Sequence, residues 1–502
     1  MNAATNLETS TLYFPNHPAL SYDGREITYA QLNEGANRIA ISLLKMGIKA
    51  GDHVGLCAPN SLEWIIFYFG VLKTGAVAVT LGSTLSPGEL HLLLDHAKPR
   101  ILFTFDERLY DIESLRGSQV IEKIVCPNGD LTFQQVLNMG TSFFKAVDRD
   151  RTDTAAILYT GGTTGIPKGV MTTHENINTS AHNVAFSERS NEKERALCFL
   201  PLNHVFGQMH IMNATILSAG CLEVLPTFDM DRVLKLMQSG PVTKLFCVPT
   251  VYTRLLTLED LKKKMGNIHY CFSAAAAMAA ETVRQWKDKT GLTIYEGYGM
   301  TESASAVTYN HYYRHVVGSI GTPVPGVEVQ IRDITTGERV ERGREGEICV
   351  KGHNIMKGYL SNPKATKEAF WEDGWFRSGD IGLCDNEGYV FIVDRLKDMI
   401  ITGGENVYPR EVEEALYTRP EVEECAVIGL PDREWGERVT AFIIPKPRKT
   451  LNADAIKAYL KACLSPFKVP KEYIIVNELP KSPAGKILKR ELKKQYLEGE
   501  KK

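Results

Sequence analysis

The sequence predicts a layered α/β protein that has a large N-terminal domain and a small α+β domain at its C-terminus. Strand-like apolar segments alternate with amphipathic helical segments along the N-terminal part, which is typical of a largely parallel sheet covered by helices. At 502 residues the chain is too long for one compact core. The pattern changes after Asp394, and this change predicts the second domain.

The first elements follow from hydrophobic periodicity. Between Glu26 and Lys45 the apolar side chains recur at helical spacing and form one face: Tyr29, Leu32, Ala36, Ile39, Ala40 and Leu43. The most apolar stretch, Trp64 to Leu81, is interrupted by Lys73 and by two glycines. It therefore predicts a buried helix followed by a strand, and not a membrane span.

The C-terminal part begins at a charged break, Arg395 to Asp398, between two apolar segments. Beyond this break we expect strands and helices with a pattern of their own: strands at Glu424 to Ile428, Thr440 to Ile444 and Tyr473 to Val476, and helices at Ala453 to Cys463 and from Lys486 onward. The predicted organisation is an N-terminal domain over residues 1–394, a boundary segment at 395–398 and a second domain over 399–502.

Composition excludes several classes of protein. The formal net charge is −2, and charges of both signs are mixed along the chain, which disfavours a nucleic-acid-binding protein with a basic surface. The ten cysteines are scattered without metal-ligand spacing, and we interpret them as buried thiols in a reducing compartment. We expect no signal peptide, no integral membrane segment and a cytoplasmic location.

The strongest motif is the stretch from Tyr159 to Gly169, which follows a short apolar strand. Its glycines permit a tight turn that presents backbone N–H groups to an anion. Its threonines, Thr160, Thr163 and Thr164, add hydroxyl donors, and Lys168 adds a positive charge. The pattern predicts a loop that holds phosphate. It is not a Walker A loop, because glycine follows Lys168.

This stretch resembles the phosphate loop of the adenylate-forming superfamily, which comprises acyl- and aryl-CoA ligases, adenylation domains and luciferases. The pattern of the family is close to Tyr-Thr-Ser-Gly-Thr-Thr-Gly-x-Pro-Lys-Gly, so this chain has Gly161 in place of a serine. Further family motifs follow in order along nearly the whole chain.

Two of these motifs suit a nucleotide. In the stretch from Glu296 to Glu302, glycines flank Tyr298, whose ring can stack on a purine. Thr301 can donate to a phosphate, and the Glu302 carboxylate is a hard oxygen ligand suited to Mg²⁺. The stretch resembles the Tyr-Gly-x-Thr-Glu motif of the family, whose members often have glutamine at the position of Glu296. The stretch from Trp375 to Asp380 ends in a carboxylate that can accept two ribose hydroxyl protons.

Two further motifs suit the acid. His204 and Phe206 lie on a loop after a strand-like segment, and the resemblance makes them the gate of the carboxylate pocket. The small-residue stretch from Cys271 to Met278 permits close approach of a flat ring. It departs from the family pattern at Ala274 and Ala277, where glycine and proline are usual.

The predicted C-terminal domain carries the last two motifs. Gly403 and Gly404 follow a strand and allow a narrow slot for a pantetheine arm. Lys486 lies on a Gly/Pro-rich loop that could bring it into the cleft of another domain.

The resemblance implies a two-step reaction. A carboxylate attacks the α-phosphate of MgATP to give acyl-AMP and pyrophosphate, and the thiol of coenzyme A then attacks the acyl carbon. The implied catalytic residues are Lys486, Glu302, Thr301 and His204. The implied nucleotide-binding residues are Thr160, Thr163, Thr164, Lys168, Ala275, Glu296, Gly297, Tyr298, Asp380 and Arg395. Gly403 and Gly404 would bind coenzyme A, and the acid pocket would include His204, Phe206, Ala276 and Gly299. Residues 395–398 would form a hinge at Lys397, and the C-terminal domain over 399–502 would be mobile. Glu302 would be the Mg²⁺ ligand.

The acid itself is inferred from an absence. An amino-acid-activating domain is expected to have an aspartate near the aromatic gate, and none occurs from Asn203 to Asn213. The chain looks most similar to bacterial fatty-acid and aryl-acid CoA ligases, so we expect a fatty or other apolar monocarboxylic acid. The alternatives are an amide ligase that passes the acyl group to an amine, a luciferase-like oxygenase and a catalytically silent adenylate sensor. A homodimer is left open.

Overall fold

The computed structural model describes residues 1–113, 121–160, 168–276, 278–449, 451–482 and 487–499. Within these ranges the α-helices are α1 (Thr5–Tyr13), α2 (Tyr29–Lys45), α3 (Leu62–Thr74), α4 (Pro87–Ala97), α5 (Asp106–Glu113), α6 (Phe133–Met139), α7 (His174–Glu188), α8 (Ala214–Leu217), α9 (Met230–Ser239), α10 (Pro249–Leu256), α11 (Leu261–Lys264), α12 (Ala280–Thr290), α13 (Pro363–Glu368), α14 (Pro409–Tyr417), α15 (Ala453–Cys463) and α16 (Lys489–Gly499). A π-helix spans Phe206–Asn213, and short 3₁₀ helices span Thr301–Ser303, Leu396–Asp398 and Pro466–Lys468.

The strands of the same ranges are β1 (Pro18–Tyr22), β2 (Arg25–Thr28), β3 (His53–Leu56), β4 (Val77–Thr80), β5 (Ile101–Phe103), β6 (Lys123–Val125), β7 (Thr154–Thr160), β8 (Lys168–Thr173), β9 (Arg195–Cys198), β10 (Cys221–Val224), β11 (Lys244–Cys247), β12 (Tyr270–Ser273), β13 (Ile294–Met300), β14 (Ser305–Tyr309), β15 (Thr322–Pro323), β16 (Val327–Arg332), β17 (Gly346–Gly352), β18 (Gly358–Tyr359), β19 (Phe376–Cys384), β20 (Val390–Arg395), β21 (Ile400–Thr402), β22 (Glu405–Val407), β23 (Val422–Asp432), β24 (Gly436–Pro445) and β25 (Glu472–Ile475).

The predicted layered α/β architecture is confirmed. One sheet has the strand order β15-β14-β13-β12-β11-β9-β10-β1-β2, and its central strands from β13 to β1 are parallel. A second sheet has the order β18-β8-β7-β4-β3-β5-β6, and its strands from β7 to β6 are parallel. Both sheets end in antiparallel pairs near the site described below.

The predicted first helix is α2, and its start is set by a capping box. The Thr28 hydroxyl accepts a hydrogen bond from the Gln31 backbone N–H, and the Gln31 side chain accepts one from the Thr28 N–H. The apolar face identified from periodicity is buried at every predicted position. The stretch predicted to form a buried helix and then a strand is α3 followed by β4, with Lys73 buried and paired with Glu8.

A third sheet was not anticipated from the sequence. Strands β16, β17, β19 and β20 are wholly antiparallel and lie between the parallel sheets and the C-terminal part. The charged break was predicted to begin at Arg395. It begins after Arg395 in the structure, because this residue is the last of β20 and pairs with Asp380 on β19. This ladder is therefore part of the candidate site.

The C-terminal part forms its own sheet, β22-β21-β24-β23, with β25 parallel to β24. The predicted helix at Ala453–Cys463 is α15. Strands β23 and β24 extend beyond the predicted segments, because they pair as one long hairpin as far as Asp432 opposite Gly436. The domain boundary at residues 394–398 stays a prediction. In the described ranges, no helix combines the length and apolar character needed to cross a membrane.

Candidate active site

A buried carboxylate lies where the third sheet meets the first. Asp380 Oδ2 accepts a hydrogen bond of 2.6 Å from the hydroxyl of Tyr298, on β13. Asp380 Oδ1 lies 3.2 Å from Arg395 Nε, on the neighbouring strand β20. The guanidinium balances the carboxylate charge in this buried place, so the oxygens of Asp380 can accept further hydroxyl groups. The sequence had named these three residues separately, and the fold brings them together.

A second polar group lies where the second sheet meets the first. Lys168 begins β8 opposite Thr160 at the end of β7, and residues 161–167, including Thr163 and Thr164, lie outside the described ranges. Lys168 Nζ is 4.7 Å from the ring centroid of Tyr359 on β18. The Tyr359 hydroxyl donates a 2.9 Å hydrogen bond to Glu302 Oε1.

Tyr359 was missed at the level of sequence, because no motif points to it. Burial first, and then the neighbouring Glu302 carboxylate, raise the pKa of Tyr359 far above its usual value. The hydroxyl therefore stays protonated and donates to Glu302 at physiological pH. Tyr359 thus joins the cation of Lys168 to the carboxylate of Glu302.

One short segment connects the two groups. Tyr298 lies near the end of β13, and Glu302 lies in the 3₁₀ helix that follows, next to the buried Thr301. Two glycines in β13 leave no room for a side chain. A Cβ atom on Gly299 would lie 1.3 Å from the Ser305 carbonyl oxygen, and one on Gly297 would lie 2.7 Å from Phe272 Cζ. The glycines of this motif are therefore required by packing.

Glu302 is also the predicted metal ligand. The described ranges contain no group of three or more His, Cys, Asp or Glu side chains that could hold a metal ion by itself. A single carboxylate suits Mg²⁺ that takes its other ligands from phosphate oxygens and water. The residues present therefore fit a metal ion that arrives with a nucleotide.

The predicted acid gate lies close to β13. The Phe206 backbone N–H donates a 3.2 Å hydrogen bond to His204 Nδ1, and Phe206 is the first residue of the π-helix. The buried Phe206 ring lies 6.0 Å from the ring of Phe272, which in turn packs on Gly297. The gate and the nucleotide segment are thus separated by one aromatic side chain.

The small-residue segment after β12 has an unusual backbone. Ala275 has a φ of +70°, in the left-handed region, which costs about 1–2 kcal/mol for a residue other than glycine. Ala275 and Ala276 are half-buried, and Ala277 lies outside the described ranges. Strain of this kind is concentrated at functional sites, which agrees with the predicted role of this segment as a pocket wall.

A carboxylate from outside residues 203–213 lies next to the gate. Glu188, at the end of α7, accepts a hydrogen bond from Tyr309 at 2.7 Å and contacts His210 Nε2 at 3.0 Å. Lys244 Nζ lies 3.0 Å from its second oxygen. Burial alone would raise the pKa of Glu188, but Lys244 and then His210 outweigh burial and hold it at about 2. Because Glu188 is already paired with Lys244, it is not available to a substrate ammonium group.

Glu296 lies buried beneath α14, a helix of the C-terminal part. Burial raises the pKa of Glu296 to about 8, Arg410 of α14 opposes this shift, and Glu414 of α14 adds to it. Glu414 also accepts a 3.3 Å hydrogen bond from the Ala280 backbone N–H. The side chain predicted to serve the nucleotide therefore also takes part in the contact between the two parts of the chain.

This pKa shift predicts a pH-dependent stability. The folded state holds a proton on Glu296 that the unfolded state releases above its usual pKa of 4.5. Stability should therefore fall as pH rises toward about 8, by at most about 1.4 kcal/mol per pH unit. We expect Glu296→Gln to lose this dependence, so that its thermal midpoint exceeds that of the wild type by a margin that grows from about pH 5 to about pH 8.

Thermal unfolding of both proteins without ligands, over that pH range, measures the margin. The exposed Glu328 offers a matched control, and Glu328→Gln should follow the wild type at every pH. A difference in thermal midpoint between Glu296→Gln and the wild type that stays constant with pH would contradict the raised pKa of Glu296.

The remaining predicted residues lie in the C-terminal part. Gly403 and Gly404 form the exposed turn between β21 and β22, with φ values of +60° and +86°. A Cβ atom on Gly403 would lie 2.9 Å from the Trp435 ring. Lys397 is exposed in the 3₁₀ helix Leu396–Asp398, and Lys486 lies outside the described ranges. The roles assigned to these residues stay predictions.

The fold and the groups gathered at the junction of its sheets are those of an adenylate-forming enzyme. The chain belongs to the AMP-binding enzyme family, whose model matches residues 7–360. The model of the AMP-binding enzyme C-terminal domain matches residues 411–486. The predicted family is therefore confirmed.

Known relatives extend over nearly the whole chain. A long-chain-fatty-acid–CoA ligase of Bacillus subtilis is 34% identical, over 98% of this chain and 94% of the relative. A feruloyl-CoA synthase of an Amycolatopsis species is also 34% identical, over 96% of both chains. The crystal structure of ATP-bound MatB from Rhodopseudomonas palustris matches with a TM-score of 0.93 and 34% identity, over 99% of both chains. The predicted enzyme class, an AMP-forming acyl-CoA synthetase, is thereby confirmed.

Proposed function

We propose that this enzyme uses ATP to activate a fatty or other apolar monocarboxylic acid as acyl-AMP and then transfers the acyl group to coenzyme A. The observation that carries the proposal is the connection of two groups through the segment from Tyr298 to Glu302. One group is Asp380 with Tyr298 and Arg395, and the other is Glu302 with Tyr359 and Lys168. The similar MatB structure has ATP bound, which supports the same nucleotide here.

In this proposal Asp380 binds the ribose. Its two oxygens accept the ribose hydroxyls, and the Arg395 guanidinium lies against the carboxylate. The Tyr298 hydroxyl, which occupies Oδ2 in the structure, would yield that oxygen to the sugar. Thr160, Thr163, Thr164 and Lys168 would hold the pyrophosphate that leaves.

Glu302 would hold Mg²⁺ at the phosphate end of the site. When bound, the ion would supply positive charge that offsets the charge of the phosphates. Tyr359 donates to one oxygen of Glu302, so its hydrogen bond orients the carboxylate. Thr301, next to Glu302, would donate to the α-phosphate.

The two half-reactions follow from the bonds that must change. A carboxylate oxygen of the acid attacks the α-phosphorus, and the bond to pyrophosphate breaks. The coenzyme A thiol then loses its proton and attacks the acyl carbon, and AMP leaves. Both steps depend on the alignment of reacting groups and on charge neutralisation. His204 and Phe206 would orient the acid for the first step, and Gly403 and Gly404 would admit the pantetheine arm for the second.

The acid class is tested by a panel of carboxylic acids. The Phe206 ring packs beside the aromatic ring of Phe272, and Glu188 is paired with Lys244. We therefore expect acid-dependent pyrophosphate release with medium-chain fatty acids or aryl acids, and little with zwitterionic amino acids. Mass spectrometry of the product should show a coenzyme A thioester. Preferred turnover of a free amino acid, or an amide as the product when an amine is supplied, would contradict the proposal.

The ribose assignment predicts the effect of removing one carboxylate. Asp380→Ala should weaken ATP binding or slow adenylation by several tens-fold, because two charge-assisted hydrogen bonds of about 1.5–3 kcal/mol each are lost. Titration calorimetry with ATP and the rate of pyrophosphate release measure the two effects.

A matched control is Asp373→Ala. Asp373 also pairs with an arginine, Arg332, at 2.7 Å, but its side chain is largely exposed. This variant should bind ATP as the wild type does. If Asp380→Ala also bound ATP normally, another carboxylate would have to hold the ribose.

A further inference from the structure

The strand that carries Asp380 is irregular just before this residue. In the ladder between β17 and β19, Glu347 pairs with Ile381. The next pair joins Cys349 and Arg377. One residue of β17 lies between these two pairs, but three residues of β19 do, including Asp380. The extra residues form a β-bulge, a feature that re-aims a side chain when it lies beside a site.

A buried carboxylate contacts this bulge at two points. Glu347 Oε1 accepts a 3.1 Å hydrogen bond from the Gly379 backbone N–H. Glu347 Oε2 accepts a 3.0 Å hydrogen bond from Arg377 Nε. The Glu347 side chain is only 2% exposed. Both oxygens of Glu347 are therefore bound to residues that lie within three positions of Asp380.

The backbone at the bulge has a conformation that needs fixing. Gly379 has a φ of +72°, in the left-handed region that favours glycine. On its far side, the Asp380 backbone N–H donates a 3.0 Å hydrogen bond to Ser378 Oγ. The direction in which the Asp380 side chain points therefore depends on the bond from Gly379 to Glu347 and on this turn.

Glu347 itself lies on a rigid part of the third sheet. Its strand, β17, is an inner strand between β16 and β19. The neighbouring pair, Gly346 and Gly382, leaves no room for a side chain on either strand. A Cβ atom would lie 2.4 Å from the Arg332 carbonyl oxygen in the first case and 2.5 Å from the Phe391 carbonyl oxygen in the second. Such a tightly packed strand suits a residue that positions another.

The ion pair with Arg377 does not by itself account for the arrangement. The Arg377 side chain is 31% exposed, and its guanidinium also lies 4.1 Å from the ring centroid of Trp371. A buried carboxylate loses its hydration, and a single ion pair does not reliably offset that loss. The hydrogen bond from Gly379, in contrast, connects Glu347 to the residue directly before Asp380.

We propose that Glu347 is a positioning residue for ATP, which holds the bulge of β19 so that the Asp380 carboxylate points at the ribose hydroxyls. This inference rests on the proposed function, because Asp380 binds the ribose in that proposal. Glu347 would not contact the nucleotide and would act only through Asp380.

The experiment compares ATP with 2′-deoxy-ATP at a fixed concentration of the acid, by the kcat/KM for pyrophosphate release. The wild type should prefer ATP by at least about tenfold, because the deoxy compound lacks one hydroxyl that donates to Asp380. Glu347→Ala should bring this ratio close to one, mainly through a higher KM for ATP. Since both nucleotides are measured on one preparation, the ratio is insensitive to the fraction of folded enzyme.

Asp380→Ala separates this inference from the proposed function. A wild type without the preference, or a preference that persists in Asp380→Ala, would contradict the ribose assignment itself. If Asp380→Ala loses the preference but Glu347→Ala keeps it, only the role of Glu347 is overturned.

A conservative variant and a matched control test whether the effect is specific. Glu347→Gln should keep most of the preference, because its amide oxygen can still accept from the Gly379 N–H. Glu223, on β10, is also buried and lies 2.6 Å from an arginine, Arg195. Glu223→Ala removes this similar pair and should leave the ratio at the wild-type value.

A second variant perturbs the same turn and leaves Glu347 in place. A Cβ atom on Gly379 would meet no heavy atom of the described residues within 4 Å, so Gly379→Ala creates no clash. The left-handed φ is nevertheless unfavourable for alanine, so the turn should relax. We expect Gly379→Ala to lower the ratio as Glu347→Ala does, and a wild-type ratio in both variants would refute the proposed coupling.

Discussion

Replacing Lys486 by alanine should slow adenylation by at least ~10²–10³-fold and leave thioester formation from supplied acyl-AMP nearly unchanged. The variant removes the cation that the family resemblance places opposite the α-phosphate, where charge develops in the transition state. The second half-reaction is spared in this hypothesis because Lys486 has by then left the cleft. Lys486 lies outside the described ranges, so this expectation depends on the sequence motif and on the domain exchange argued below.

The two half-reactions are measured separately, by pyrophosphate release from ATP and acid and by thioester formation from synthetic acyl-AMP and coenzyme A. Lys481→Ala is the matched control. Lys481 is five positions earlier in the same motif, but its ammonium group pairs with Glu424 at 2.7 Å within the C-terminal part. Its removal should leave adenylation close to that of the wild type. Equal loss of both half-reactions in Lys486→Ala would contradict the assigned role.

Replacing Lys397 by proline should have the opposite effect, with acyl-AMP formed and coenzyme A transfer blocked. Proline fixes φ near −65° and restricts the preceding residue, Leu396, so the backbone can no longer change conformation at this point. Lys397 lies in the single 3₁₀ turn between β20 and β21, which is the covalent link between the third sheet and the C-terminal sheet.

Acyl-AMP should therefore accumulate on Lys397→Pro and be detected by mass spectrometry after acid quench, while thioester formation falls by about 10²-fold or more. The control is Lys397→Ala, which removes the same charge but leaves φ free, and it should support both half-reactions. Normal thioester formation by Lys397→Pro would show that the hinge lies elsewhere.

Both expectations depend on one geometric constraint. Lys486 and the turn at Gly403 and Gly404 belong to the same small C-terminal part, and that turn is exposed in this structure. A rigid domain of this size cannot offer both elements to one cleft at the same time, so it should alternate between two orientations. If Lys486→Ala and Lys397→Pro depressed both half-reactions equally, domain alternation would be the wrong mechanism.

The sequence predicted correctly those helices and strands that are determined by residues close together in the chain. The helix α2 follows from apolar spacing and from a capping box between Thr28 and Gln31. The buried α3 and strand β4 follow from the apolar stretch that begins near Trp64. The order of the motifs also identified the family, because each motif is a short run of adjacent residues. The antiparallel third sheet was missed, since its pairing joins strands whose partners are set by the whole fold.

The site was predictable to a similar extent. Asp380, Tyr298 and Glu302 were named from their motifs, but their mutual contacts were not. Residues 203–213 contain no aspartate, but a glutamate from another element, Glu188 of helix α7, contacts His210. Lys244, which comes from β11, pairs with this carboxylate.

By itself, the sequence determined the family, the order of the helices and strands around each motif, and the residue types available for chemistry. These properties depend on neighbours within a few positions, and periodicity and turn residues encode them directly. Only the tertiary structure decided that Tyr359 joins Lys168 to Glu302, and that Glu188 meets His210 and Lys244 behind Phe206. Those contacts join residues far apart in the chain, and packing of the whole core sets their distances, so no local pattern could have revealed them.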